Sequence, residues 1–311
     1  MSAPVIVFSL PGHDALGARL VRALDADQGV LTVRTFPDGE TYVRGETPCD
    51  GRDAVVAANL FQPNPQVLPL LYGVRAARVL GARRVLLVSP YLPYMRQDAR
   101  FKPGEVVTSR LFAQLLSSTV DGLVTVDPHL HRYNTLDEIY SIPTRVEHAA
   151  PAVAGFIQTH IDNPVIVGPD SESEQWVSEV ADMAGAPFIV LAKTRRGDRD
   201  VEIRVPPLDP WRKHTPVLVD DIISTARTMV ETIGHLARAG YAAPVCVGVH
   251  AVFAKGALDG LSRAGAARVV TCNTIEHATN AIDLTDTLAE GVRHLLLETQ
   301  TAGQPTQETL T

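Results

Sequence analysis

The sequence is short of several things at once, and each shortage closes off a class of function. Only three cysteines occur in 311 residues, Cys49, Cys246 and Cys272, far apart and without metal-ligand or disulfide spacing. That argues against a disulfide framework or a zinc module and suits a reduced, cytoplasmic setting. Long hydrophobic runs are missing: stretches such as VLLV at 85–88 fall far short of the roughly 20 residues that cross a bilayer. The amino-terminal MSAPVIVFSLPG has neither a basic leader nor a signal-like apolar core. Positive charge is not in excess either, since the formal net charge is -7. This counts against a dedicated nucleic-acid binder while leaving room for a local basic pocket. Polar, low-complexity sequence is confined to the tail GQPTQETLT.

What is present is an ordinary globular composition, 45% hydrophobic and 20% charged, with length for two domains or one large one. Short Val/Ile/Leu runs recur at 5–8, 54–58, 85–88, 123–126, 164–167, 188–191, 217–219, 245–249 and 268–270. Continuous β-branched runs of this length predict strands buried on both faces, as in parallel sheets. Between them the pattern predicts helices near 66–80, with apolar residues at 67, 70, 71, 74 and 77 and Gly81 as a stop, and near 107–117. A third opens at Ser171-Glu172-Ser173-Glu174 and ends before Gly185; a fourth follows the stretch 217–229 and ends before Gly240. This alternation predicts an α/β fold in two similar halves, each a mostly parallel sheet flanked by helices. Pro143 and Pro151 place the expected hinge at 143–155.

Ligands of open α/β sheets sit at the carboxyl ends of strands, so polar clusters after apolar runs are the candidate sites. VLVDDIISTARTM at 217–229 ends a strand on Asp220 and Asp221, acceptors suited to ribose hydroxyls. The turn that follows, Ser224, Thr225, Ala226, Arg227 and Thr228, leads into a helix whose N–H groups and hydroxyls suit a phosphate. The competing reading is that the acids only cap the helix. In 85–116, Arg96, Arg100 and Lys102 supply positive charge suited to a polyphosphate, the alternative being a solvated basic loop. RTFPDGETYVR at 34–44 reads as a hairpin-like loop around Pro-Asp-Gly. Single strand-end residues such as His129 in TVDPHLHR and Asp170 in VGPDSESEQW are ordinarily structural.

Taken together and in this order, these stretches resemble the ribose-phosphate pyrophosphokinases, the synthetases of phosphoribosyl pyrophosphate (PRPP). The likeness runs from about residue 4 to about residue 295. It implies two phosphoribosyltransferase-like domains, 1–147 and 148–284, with the C-terminal helix 285–311 a candidate to complete the first. It also implies an ATP site from Phe36, Asp38, Glu40, Arg96, Gln97, Asp98 and Arg100, the first three reaching a neighbouring subunit's nucleotide. His129 and Asp170 would lie on the Mg2+ side. Lys193 and Arg195, in LAKTRRGDRDVEIRV at 191–205, would meet charge developing on the transferred group. Asp220, Asp221 and Ser224 to Thr228 would bind ribose 5-phosphate. The implied partners are ATP, ribose 5-phosphate and copies of the same chain, in dimer-based oligomers that are often hexamers, with no nucleic acid and no membrane.

Two departures set this chain apart. Ser224 and Arg227 stand where the family's phosphate turn has Asp and a second Gly, and Glu172 and Ser173 follow Pro169-Asp170 in place of Val-Gly-Gly. A glycine lets backbone approach phosphate closely, so Arg227 either crowds the turn or adds a charge contact. Two alternatives stand beside the synthetase. A phosphoribosyltransferase has no need of the 34–44 and 94–105 segments. A non-catalytic nucleotide-binding relative has no need of Lys193 and Arg195.

Overall fold

A computed structural model describes residues 5–168, 174–196, 200–204 and 209–301; for 192–196, 200–204, 209 and 299–301 it describes the backbone alone. The chain divides into two compact units, 1–147 with 285–311, and 148–284.

The first unit is built on a six-stranded sheet of β1 (Ile6–Ser9), β2 (Asp27–Gly29), β5 (Asp53–Ala57), β6 (Arg84–Val88), β7 (Gly122–Val126) and β8 (Thr144–Glu147). Its order is β2-β1-β5-β6-β7-β8 and every pairing is parallel. All residues of β5 and β7 are buried, which is why these strands read as largely apolar runs, interrupted only by Asp53 and Thr125, instead of alternating ones. An antiparallel hairpin, β3 (Leu31–Thr35) and β4 (Thr41–Gly45), is inserted before β5 and forms its own two-stranded sheet. The helices are α1 (Asp14–Leu24), α2 (Val67–Val79), α3 (Thr108–Ser117) and, from the far end of the chain, α8 (Thr285–Thr301). Helix α8 packs on α1 and on β6, β7 and β8, burying Leu288, Ala289, Val292 and Leu295.

The second unit repeats this plan. Its sheet contains β9 (Pro164–Gly168), β10 (Phe188–Val190), β13 (Thr215–Ile222), β14 (Val245–His250), β15 (Arg268–Cys272) and β16 (Asn280–Ile282), in the order β10-β9-β13-β14-β15-β16. That matches the first sheet strand for strand, all parallel, again with a hairpin, β11 (Ala192–Arg196) and β12 (Asp200–Arg204), inserted before the third strand. Its helices are α4 (Ala150–His160), α5 (Glu174–Ala184), α6 (Arg227–Arg238) and α7 (Ala257–Ala264). Helix α4 packs on α5 and β16 as α8 packs on α1 and β8, so each unit uses a helix that follows the other unit's last strand.

The boundary between the two units, at 147/148, falls within the segment expected to be a hinge, 143–155. Residues 144–147 form edge strand β8 and 150–160 form α4, with Pro151 in its first turn, where a missing N–H costs nothing. At the amino edge of the first sheet, Asp53 opens β5 opposite Arg84, which opens β6. Its buried carboxylate takes hydrogen bonds from Arg84 at 2.8 and 2.6 Å and from Arg83 at 3.1 and 2.6 Å. The loops that follow β6 and β7 lie at the opposite, carboxyl edge.

Candidate active site

In the first unit two loops meet at the carboxyl edge. The loop after β6 carries Arg96, Gln97, Asp98 and Arg100; the loop after β7 carries Asp127, His129, His131 and Arg132. They are joined by Asp98, whose side chain is 2% exposed and receives a hydrogen bond from Arg132 at 2.7 Å. The Tyr133 hydroxyl also donates to the Asp98 carbonyl, at 3.2 Å. Asp98 therefore organises the loop from within instead of facing solvent. Arg96, Arg100 and Lys102 are exposed and enter no ion pair among the described residues. Glu105 shapes this turn, its Oε2 accepting from the N–H groups of Phe101 and Lys102 at 2.7 and 3.0 Å. Three unpaired cations on one shaped loop suit a polyphosphate.

His129 and His131 stand edge to face, ring centres 4.0 Å apart. Among the described residues no group of three or more His, Cys, Asp or Glu side chains could cage a metal. Asp170, the other expected metal-side residue, and the acid substitution at Glu172 and Ser173 lie outside the described residues. The donors present fit Mg2+ in its usual form, held by few protein oxygens and mainly by water and phosphate. Asp127 follows the end of β7, two residues before His129.

Phe36, Asp38 and Glu40 occupy the tip between β3 and β4. The tip is closed by Phe36 N–H to Glu40 O at 2.8 Å and by Glu40 N–H to the Asp38 carboxylate at 3.1 Å. Phe36 is 40% exposed. It packs edge-on against Tyr42 with the Arg34 guanidinium 5.2 Å from its ring centre. It also lines a groove of about 480 Å³ with Tyr72, Arg75 and Val79 of α2.

In the second unit β13 runs on to Ile222, so Asp220 and Asp221, both half-buried, alternate across the sheet. The turn after them is fastened to the end of β14. Ile223 N–H donates to His250 O and Ala254 N–H to Ser224 O, each at 3.1 Å. The Ile223 side chain lies over Gly248, where a Cβ would stand 2.6 Å from it. Ala226 takes the left-handed conformation, φ +57°, and Arg227 already belongs to α6 and is exposed. The turn's conformational demand thus falls on Ala226, and Arg227 does not strain it. The first turn of α6 holds no acid and no side chain caps it, so its N–H groups and the Thr225 and Thr228 hydroxyls are available to an anion.

Sequence reasoning missed His250, which is 1% exposed at the end of β14. Its Nδ1 lies 2.9 Å from Thr274 Oγ1, and that hydroxyl donates to Val249 O at 2.9 Å. Because the one hydroxyl proton goes to the carbonyl, Nδ1 carries the ring proton and donates. Its position directly after the VCVGV run was the available signal.

Lys193 and Arg195 lie on β11, paired in register with Ile203 and Val201 of β12. Thiol chemistry is absent from this arrangement. Cys49 and Cys272 are buried, and burial pushes the Cys246 thiol up to about 12.

Comparison with known proteins agrees with the geometry. Residues 5–119 match the model of the N-terminal domain of ribose phosphate pyrophosphokinase, and 135–287 that of the phosphoribosyl transferase domain. A ribose-phosphate pyrophosphokinase of Methanothermobacter thermautotrophicus is 34% identical over 92% of this chain and 99% of its own. One from Methanopyrus kandleri is 32% identical over 94% of this chain and 99% of its own. The crystal structure of phosphoribosylpyrophosphate synthetase from Mycobacterium smegmatis superposes with a TM-score of 0.82 at 25% identity, over 95% of this chain and 99% of that one.

Proposed function

This chain belongs to the ribose-phosphate pyrophosphokinase family, and we propose that its two units divide that family's reaction between them, one holding ATP and the other ribose 5-phosphate. The protein is a ribose-phosphate diphosphokinase: it moves pyrophosphate from ATP to the C1 hydroxyl of ribose 5-phosphate, giving PRPP and AMP. The observation that carries the division is the pairing of two unlike anion sites in one chain. The unpaired cations of the 96–102 loop suit a triphosphate; the Ser224–Thr228 turn suits one phosphate beside a diol.

The chemistry asks for in-line positioning and charge neutralisation, not for a covalent nucleophile. Arg96, Gln97 and Arg100 seat the triphosphate, and Asp98 holds their loop in shape through Arg132. Phe36, Asp38 and Glu40 meet the nucleotide of a neighbouring copy in a homo-oligomer built from dimers. Asp220 and Asp221 accept from ribose hydroxyls, one on each side of the strand end, and Ser224 to Thr228 hold the 5-phosphate. The C1 hydroxyl forms the new P–O bond as the bond to the α-phosphate oxygen breaks, AMP leaving with that oxygen. Lys193 and Arg195 neutralise charge on the group in flight. Asp127, His129 and Asp170 would hold Mg2+, which would supply charge neutralisation for the triphosphate. The three reduced thiols fit a cytoplasmic enzyme, and among the described residues no helix is long and apolar enough to cross a membrane.

The test is AMP release from Mg-ATP with and without ribose 5-phosphate. Release that requires the sugar phosphate supports the reading; release indifferent to it, or ADP as product, contradicts it.

A further inference from the structure

Two cations stand beside the turn after β13 without partners. Arg227 opens α6 and is exposed, and Lys255, between β14 and α7, is exposed as well. Neither enters an ion pair among the described residues. The 3.1 Å bond from Ala254 N–H to Ser224 O fastens the residue before Lys255 to the turn itself. Lys255 is thus one residue spacing, about 3.8 Å along the chain, from that tie. Helices α6 and α7 pack together and follow neighbouring parallel strands, so both begin at the same edge. The acids nearby in sequence are Asp220 and Asp221 before the turn, Glu231 one turn into α6 and Asp259 four residues past Lys255.

We propose that Arg227 and Lys255 form a two-cation clamp over this turn and set its specificity for a sugar bearing a dianionic 5-phosphate. This rests on the assignment of the turn to ribose 5-phosphate. Left-handed backbone is needed only at Ala226, so position 227 is free to carry a long side chain. A guanidinium offers a phosphate two charge-assisted hydrogen bonds, and an ammonium adds a movable point charge. Two cations also offset the field of Asp220 and Asp221, which bind hydroxyls but repel phosphate. Recognition here is then dominated by charge, and by side chains that a glycine-type turn lacks.

The experiment is calorimetric titration of the full-length protein with ribose 5-phosphate, with ribose and with Mg-ATP. The variants are Arg227→Gln, Lys255→Gln and the double substitution, beside the charge-keeping Arg227→Lys and Lys255→Arg. Each charge-removing change should weaken ribose 5-phosphate about tenfold, the double more, and flatten the salt dependence, with Mg-ATP affinity unaltered. Charge-keeping variants should stay within roughly threefold of the parent. Unchanged sugar-phosphate affinity in the double variant overturns the clamp and leaves the turn's assignment standing. So does equal loss in charge-keeping and charge-removing variants. No binding of ribose 5-phosphate by the parent, or binding that Asp221→Asn and Thr228→Val leave untouched, overturns the assignment and the clamp with it.

Discussion

At the scale of single residues, charges that hold the fold are distinct from the charges proposed to meet ligands. Asp53 belongs to the first kind. Burial alone would raise its pKa, but hydrogen bonds from Arg84 and Arg83 outweigh it and hold the carboxyl below its ordinary 3.8. A depressed folded-state value means that the stabilisation is fully present above the unfolded value and is lost as pH falls through the folded one. Asp53→Asn should therefore cost roughly 2 to 3 kcal/mol near neutrality, less than a wholly buried pair because Arg83 is half-exposed. It should also flatten the acid-side decline in melting temperature; thermal scans from pH 3 to 8 would check both. Lys193 is proposed for the second kind. Lys193→Ala should lower kcat on the order of a hundredfold or more, with Mg-ATP affinity kept, as measured by AMP release and titration.

At the scale of elements, α8 decides whether the first unit is complete. Leu295 is fully buried, and Gly291 lies where an added Cβ would stand 2.7 Å from the Glu147 carboxylate and 2.8 Å from Val124. Leu295→Ala should cost about 2 to 4 kcal/mol and Gly291→Ala about 1 to 3, read as earlier denaturant midpoints. The central strands were legible because burial on both faces leaves no polar residue to interrupt the run, as in AVVAA before Asn59 and VLLV before Ser89. The edge strands were not. Asp27-Gln28-Gly29 is a strand only because β1 pairs with it, and Asn280–Ile282 only because β15 does. No local preference announces either. The same limit explains Asp98. Its motif pointed to a ligand site, whereas its pairing with Arg132, 34 residues on, is visible only in three dimensions. Arg227 was the open question in the sequence, and the left-handed turn one residue earlier, at Ala226, answers its backbone half.

At the scale of the whole molecule, two units of one topology carry different loops on corresponding edges, and the proposed function gives each unit its own substrate. If the hairpin tip works in a neighbouring copy's site, two defective chains should complement each other. Phe36→Ala and Lys193→Ala, mixed after reversible dissociation, should recover roughly a quarter of parental turnover, since half the dimers are mixed and each has one intact site. No recovery would place Phe36 in its own chain's site. The central claim is the transfer of an intact pyrophosphate to C1, and phosphorus NMR of the protein with ribose 5-phosphate and Mg-ATP tests it most directly. The account predicts new diphosphate resonances of PRPP growing in step with AMP, and about a hundredfold more slowly or slower still with Lys193→Ala. Bound ATP with no AMP, or inorganic phosphate and ADP in place of PRPP, would contradict it.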